Sequence, residues 1–358
     1  MLAALFGATQ LASADVSIEQ LVKQAGITEG KVAVSEQPQW RGANKILIRD
    51  IGMDLDPYIA NLTDVEVVVF RTVPEALEHA ADADAIIGSC DADLINAAKQ
   101  LIWVQIYWAG AERCLAVEKI SAGEVVMTNM QKMSSPVIAE HAIAMMFALA
   151  RNLPEFTLKM GQKNWANQPD VVAEMMPIAG KKLLVAGLGG IGMEVARLGA
   201  ALGMQVSGTR NSSRNAPEFV QYVGLAHELQ DLAAEADVIV NALPLTESTK
   251  RLFDSEFFAA TKPGAMFINV GRGSTVVTAD LLTALQSGQI SSAGLDVTDP
   301  EPLPADSPLW DRSDVIITPH VAGRGGERER HGVLLIENLR RYIAGEKLLN
   351  VVDPAKGY

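Results

Sequence analysis

"KKLLVAGLGGIGMEVARLGAALG", residues 181–203, decides the fold. It opens with an unbroken apolar run, as a strand covered on both faces does. A glycine-rich turn follows, and then a helix-like segment. Gly187, Gly189 and Gly192 form G-x-G-x-x-G between strand and helix, the context that gives this motif its weight. The first glycine allows a tight turn, the second lets backbone approach a pyrophosphate, and the third lets helix and strand pack closely. The helix start then presents free N–H groups and a positive dipole end to the phosphates.

Working outward, the same alternation of short β-rich runs and helix-like segments fills the chain. "KILI" (45–48), "VEVVVF" (65–70), "DAIIG" (84–88), "LIWVQI" (101–106) and "EVVMTN" (124–129) precede the motif. "MQVSG" (204–208), "DVIVNA" (237–242), "AMFINV" (265–270), "SAGLDV" (292–297) and "DVIIT" (314–318) follow it. This pattern predicts an α/β protein with two doubly wound parallel-sheet domains. Residues 134–154 read as one long helix, capped by Ser134 or Ser135 and stopped by Pro154. Residues 161–170 read as a loop, and 326–345 as an amphipathic helix ended by Gly345.

The chain has 358 residues, 49% hydrophobic and 20% charged, which fits two globular domains. A net charge of −13 argues against a nucleic-acid partner. No apolar run reaches 18 residues, so no membrane span is expected. Cys90 and Cys114 have no metal-ligand spacing and no disulfide framework; they read as two buried thiols in a reducing cytosol, with no metal. The first residues, ending Ala12-Ser13-Ala14, weakly resemble a secretory leader but lack its basic start. A cytoplasmic location is expected, because reduced nicotinamide nucleotides are recycled inside cells.

The strand after the motif bears on the cofactor. An acidic residue at its end binds the ribose 2′-hydroxyl in NAD sites. Here Arg210 stands in that place, followed by Ser212, Ser213 and Arg214. A guanidinium pairs with a 2′-phosphate instead. NADP(H) is the expected cofactor, with NAD(H) the alternative.

Three later segments end strands on polar residues. "INVGRGS" carries Arg272, "AGLDVTDPEPLP" carries Asp296 and Glu301, and "ITPHVAG" carries His320. Ligands of open α/β sheets bind outside the carboxyl ends of the strands, where all four stand. An arginine fork suits a carboxylate. An imidazole suits proton delivery to a developing alkoxide. A carboxylate beside an imidazole favours its protonated form, so losing the charge of Glu301 should move the activity profile toward lower pH. Alone, His320 would read as an ordinary loop histidine; the company it keeps changes that.

The chain resembles the D-isomer-specific 2-hydroxyacid dehydrogenases in "GLGGIG", "LPLTEST", "KPGAMFINVGRG", "LDVTDPEPLPADSPLW", "TPHVAG" and "NVVDPAKGY". "WVQIYWAGAE" and "AEHAIAMMFALAR" also fit, so the likeness runs from about residue 45 to the end. The resemblance implies that His320 is the general acid/base, that Glu301 pairs with it, and that Arg272 binds the substrate carboxylate and keto oxygen. It implies that Asp296 anchors the nicotinamide carboxamide, and that backbone at Ala109 and Gly110 meets the substrate carboxylate. Further cofactor contacts are implied at Gly190, Ile191, Leu243, Pro244, Thr249 and Val270. Tyr107, Trp108 and Met133 lie near enough in sequence to line the pocket, though core packing explains them equally well. Thr298 departs from the aromatic frequent at its position.

The family pattern also implies that residues 1–130 and 323–358 form a flavodoxin-like substrate domain. Residues 131–322 would be a Rossmann domain inserted into it, and the protein a homodimer. The expected reaction is reduction of a small 2-keto acid to a D-2-hydroxy acid, as in glyoxylate or hydroxypyruvate reductases. The alternatives are an NAD-dependent phosphoglycerate-type dehydrogenase and a nucleotide-sensing corepressor-like protein.

Overall fold

The structure, a computed structural model, describes residues 17–52, 64–165, 175–325 and 328–357. The leader-like residues 1–16 lie outside the described residues.

Two parallel sheets organise the chain. The first contains β1 (Lys45–Arg49), β2 (Glu66–Phe70), β3 (Ala85–Ile87), β4 (Trp103–Gln105) and β5 (Val126–Thr128). Its order is β2-β1-β3-β4-β5, the flavodoxin-like order. The second contains β6 (Lys182–Ala186), β7 (Gln205–Arg210), β8 (Tyr222–Leu225), β9 (Val238–Asn241), β10 (Ala265–Asn269), β11 (Ile290–Leu295) and β12 (Val315–Ile317). Its order, β8-β7-β6-β9-β10-β11-β12, is that of a dinucleotide-binding sheet with one strand added. The order reverses between β6 and β9, which opens a crevice at their carboxyl ends, where the glycine turn lies.

The unbroken apolar runs are explained by cover on both faces. In the second sheet, Leu183, Val185, Val238 and Val240 pack with Ala142, Met145, Met146 and Leu149 of the Ser135–Ala150 helix. Their neighbours Leu184, Ala186, Ile239 and Phe267 pack on the other side with Phe257, Phe258 and Leu281. In the first sheet, Leu47, Ile86 and Val104 face one core. Ile46, Ile48, Ile87 and Trp103 face another, which is closed by Leu334, Leu335, Leu339 and Tyr342 of the C-terminal Arg328–Ile343 helix. The chain therefore returns to the first sheet after completing the second.

Three expectations are corrected. The long helix does not run to Pro154. It ends at Ala150, Asn152 takes φ +52°, and a second helix, Leu153–Gly161, carries Pro154 in its first turn. Proline needs no N–H acceptor there, so it starts a helix as readily as it stops one. Strand β8 was not anticipated; it is a short edge strand with Tyr222 exposed and Gly224 inside it. The cysteines are not free thiols: Cys90, just past β3, and Cys114, in the Glu112–Leu115 helix, are joined by a disulfide with Cα atoms 5.0 Å apart. Adjacent strands β3 and β4 bring their following loops together, which a spacing of 24 residues does not reveal.

Candidate active site

The glycine turn closes as its sequence requires. Gly187 takes φ +94° between β6 and the Gly190–Ala201 helix. A Cβ on Gly192 would sit 2.0 Å from the Gly187 carbonyl oxygen, so the helix crosses the strand only with glycine there. A Cβ on Gly189 would meet nothing within 4 Å, which leaves an open approach to the backbone before the helix. The first N–H groups of that helix have no intrahelical acceptors, and Gly190 and Ile191 supply two of them.

Arg210 ends β7 opposite this turn. It is half-buried, and its Nε is buried with no hydrogen-bond partner among the described residues. Ser212 lies exposed just beyond, and the Ser213 hydroxyl accepts the N–H of Asn215. Arg214 is differently engaged. Its guanidinium donates to Glu228 at 2.6 Å, to the Tyr222 hydroxyl at 3.0 Å and to the Val223 carbonyl at 2.9 Å. The Leu225 N–H, Tyr222 and Arg214 together hold the Glu228 carboxyl down to about 2. Of the two arginines proposed from sequence, Arg210 alone has a buried N–H without a partner among the described residues, while Arg214 is held by Glu228. Thr249 closes the turn after β9, donating to the Pro244 carbonyl at 2.6 Å, and Leu243 N–H is held by Asn241. Val270 is buried in the same core cluster as Val185 and Leu188.

The second group of residues stands along the same sheet edge, after β10, β11 and β12. His320 Nδ1 lies 3.0 Å from Glu301 Oε2, and both side chains are about half exposed. His320 itself takes φ +54°. The cause is visible in Asp296, which is buried and serves as the anchor of the 318–322 turn. Its carboxylate accepts Val321 N–H at 2.9 Å, Ala322 N–H at 3.0 Å and the Thr318 hydroxyl at 2.7 Å. The His320 N–H reaches the Asp296 carbonyl at 2.8 Å. His141, from the Ser135–Ala150 helix, contacts the Thr318 hydroxyl at 2.9 Å.

Arg272 follows β10 on a backbone fixed from below. Its carbonyl accepts the Thr275 hydroxyl at 2.6 Å and the Asn269 amide, and both are linked to Asn241, all of them buried. Its side chain crosses to the first sheet: Nε donates to Glu112 Oε1 at 2.9 Å and Nη1 to the Gly271 carbonyl at 2.8 Å. The loop of Ala109 and Gly110 lies against it, for a Cβ on Gly110 would come 2.5 Å from Arg272 Nη2. Asn129 holds this loop by donating to the Ala109 carbonyl at 2.6 Å. Of the bulky residues nearby, Met133 is buried in the core, Tyr107 donates to the Arg49 carbonyl, and Trp108 is 41% exposed.

Sequence reasoning missed Glu112, Asn129, His141 and Thr318. Polar residues ending apolar strands were a usable signal, and Asn241 and Asn269 share it. Glu112 and His141 gave none, because their partners lie 160 and 177 residues away.

A switch-point crevice with a glycine turn, beside a histidine–carboxylate pair and an arginine, defines a nicotinamide-dependent oxidoreductase. Comparison with known proteins agrees. Residues 143–322 match the model of the D-isomer specific 2-hydroxyacid dehydrogenase NAD binding domain. The chain is 31% identical over 300 residues to glyoxylate/hydroxypyruvate reductase B of Escherichia fergusonii, covering 82% of this chain and 91% of that protein. It is 30% identical over 315 residues to D-3-phosphoglycerate dehydrogenase of Methanocaldococcus jannaschii, covering 86% of this chain but 59% of that longer protein. A D-isomer specific 2-hydroxyacid dehydrogenase from Xanthobacter autotrophicus Py2, solved with NADPH and MES, superposes with a TM-score of 0.74 at 29% identity, covering 88% and 99% of the two chains. This chain belongs to the D-isomer-specific 2-hydroxyacid dehydrogenase family and is an NAD(P)-dependent oxidoreductase.

Proposed function

We propose that the protein reduces a small 2-keto acid of the glyoxylate or hydroxypyruvate type to its D-2-hydroxy acid, with NADPH as the preferred reductant. The reading is carried by His320 Nδ1 held 3.0 Å from Glu301 on the sheet edge that also presents Arg272. The nicotinamide dinucleotide, when bound, supplies a hydride for the carbonyl carbon. Arg272 and the backbone of Ala109 and Gly110 hold the substrate carboxylate. His320, its Nδ1 occupied by Glu301, delivers a proton to the keto oxygen from Nε2. Asp296 has one carboxylate oxygen that accepts a single hydrogen bond, which leaves a lone pair for the carboxamide. The glycine turn and the helix N-terminus would hold the pyrophosphate. Arg210, with its unpaired N–H and no acid beside it at the strand end, favours a 2′-phosphate.

Residues 1–130 with 323–358 act in this reading as the substrate domain and 131–322 as the cofactor domain, so substrate is held between groups from both. We place the enzyme in the cytosol, on cofactor recycling alone, since the cysteine argument has fallen. Dimerisation is supported by the Leu153–Gly161 helix and its end, where Leu153, Leu158, Met160 and Trp165 are exposed, Trp165 fully; light scattering giving a one-chain mass would remove that part.

Initial rates with glyoxylate, hydroxypyruvate, an aryl 2-keto acid and phosphohydroxypyruvate, each with NADPH and NADH, test the proposal. Higher kcat/KM with NADPH and an unphosphorylated keto acid is expected. A clear preference for NADH with the phosphorylated acid would overturn it in favour of a phosphoglycerate-type enzyme, and no turnover on the panel would favour a binding protein. His320→Gln should lose on the order of 100-fold or more in kcat while still binding NADPH.

A further inference from the structure

We infer that Glu112 is a positioning residue that aims Arg272 at the substrate carboxylate. This rests on the reading of Arg272 as the carboxylate-binding group.

A guanidinium is a rigid planar fork, so fixing two of its nitrogens fixes the third. Glu112 takes Nε at 2.9 Å and the Gly271 carbonyl takes Nη1 at 2.8 Å. Nη2 has no hydrogen-bond acceptor among the described residues and faces the Gly110 backbone, where a Cβ would come 2.5 Å from both Nη2 and Glu112 Oε2. That corner is where the arginine and the 109–110 loop would share one carboxylate.

Glu112 is well placed to hold this aim. It stands two residues beyond Gly110 and opens the Glu112–Leu115 helix. Two residues further, Cys114 is fully buried and bonded to Cys90 beside β3. The acid is therefore fixed to the first sheet, whereas Arg272 belongs to the second. One ion pair brings the two carboxylate-binding groups, drawn from different sheets, into register. The pair is partly buried, with side chains 29% and 36% exposed, so it is less screened than a surface contact.

A rival role has the opposite sign. If Glu112 merely occupied the arginine until substrate displaced it, removing the acid would tighten substrate binding. The Glu112 hydrogen bond falls on Nε and not on Nη2, although Glu112 Oε2 also stands at the Gly110 corner, so the sign of the KM change separates the two roles.

The test is steady-state kinetics on the full chain with glyoxylate at saturating NADPH, together with NADPH binding followed by fluorescence. Glu112→Ala should raise KM for glyoxylate about tenfold or more, with a smaller change in kcat and unchanged NADPH affinity. Glu112→Gln keeps an oxygen for Nε and should recover most of the affinity. A KM that is unchanged or lower in Glu112→Ala would overturn the inference. So would a Gln variant no better than Ala, or NADPH affinity falling in step with that for glyoxylate. A wild-type protein that reduces no 2-keto acid would overturn the underlying reading as well, whereas an active wild type with an indistinguishable Ala variant sinks the inference alone.

Discussion

His320 occupies the left-handed region, a conformation that costs a non-glycine residue about 1 kcal/mol or more. It is kept there because Asp296 holds the residues on either side, taking the Thr318 hydroxyl and the N–H groups of Val321 and Ala322. The buried acid thus fixes where the imidazole stands before any ligand contact it makes. Arg272, Glu301 and His320 were legible because each follows an apolar strand run in a parallel sheet, where strand ends are site positions. Arg210 and Arg214 read alike in sequence, yet Glu228 claims one and leaves the other unpaired. Arg210→Ala should raise KM for NADPH by about ten- to a hundredfold, the loss of one charge-assisted hydrogen bond, and leave KM for NADH nearly unchanged. Equal effects on both cofactors would reject the 2′-phosphate assignment.

At the scale of elements, eleven strands were legible because each carries an apolar run, in most of them because both faces are covered. The edge strand β8 was not, since its four residues, YVGL, include a glycine and make no apolar run long enough to stand out. The C-terminal helix was read as amphipathic, and the family resemblance alone put it with the first domain; its docking contacts leave no local pattern. It docks on the first sheet through Tyr342, whose hydroxyl donates to Asp84 Oδ1 at 2.8 Å against Trp103 and Trp40. Asn338 adds a hydrogen bond to Gln105 at 3.0 Å. Burial pushes the Asp84 carboxyl up, against the opposing pull of Tyr342, Asn44 and Lys45. Tyr342→Phe removes a donor to a buried acid and should cost about 1–3 kcal/mol in chemical denaturation. An acid raised by burial is disfavoured while charged, so the penalty is present at neutral pH and should shrink as pH falls through the raised value. A loss that does not vary with pH would show that Asp84 is not the group concerned.

For the whole molecule, the disulfide is a link that sequence reading assigned the other way. It closes a segment with 24 residues of separation across β4, and the loop-closure model puts its contribution at about 3 kcal/mol. A Cys90→Ser, Cys114→Ser double variant should lose stability of that order in denaturant titration, and unchanged stability in reductant-free buffer would mean the bond does not form. What the sequence by itself determined is the series of buried parallel strands, the glycine turn and the polar residues closing each strand, because these depend on periodicity and on neighbours within a few residues. Tertiary structure alone decided which cation is free, which acid aims Arg272, what holds the His320 turn and that the cysteines meet. Each of those is a contact across 22 to 177 residues of separation or a competition between partners, such as Glu228 for Arg214, and local pattern carries no record of either.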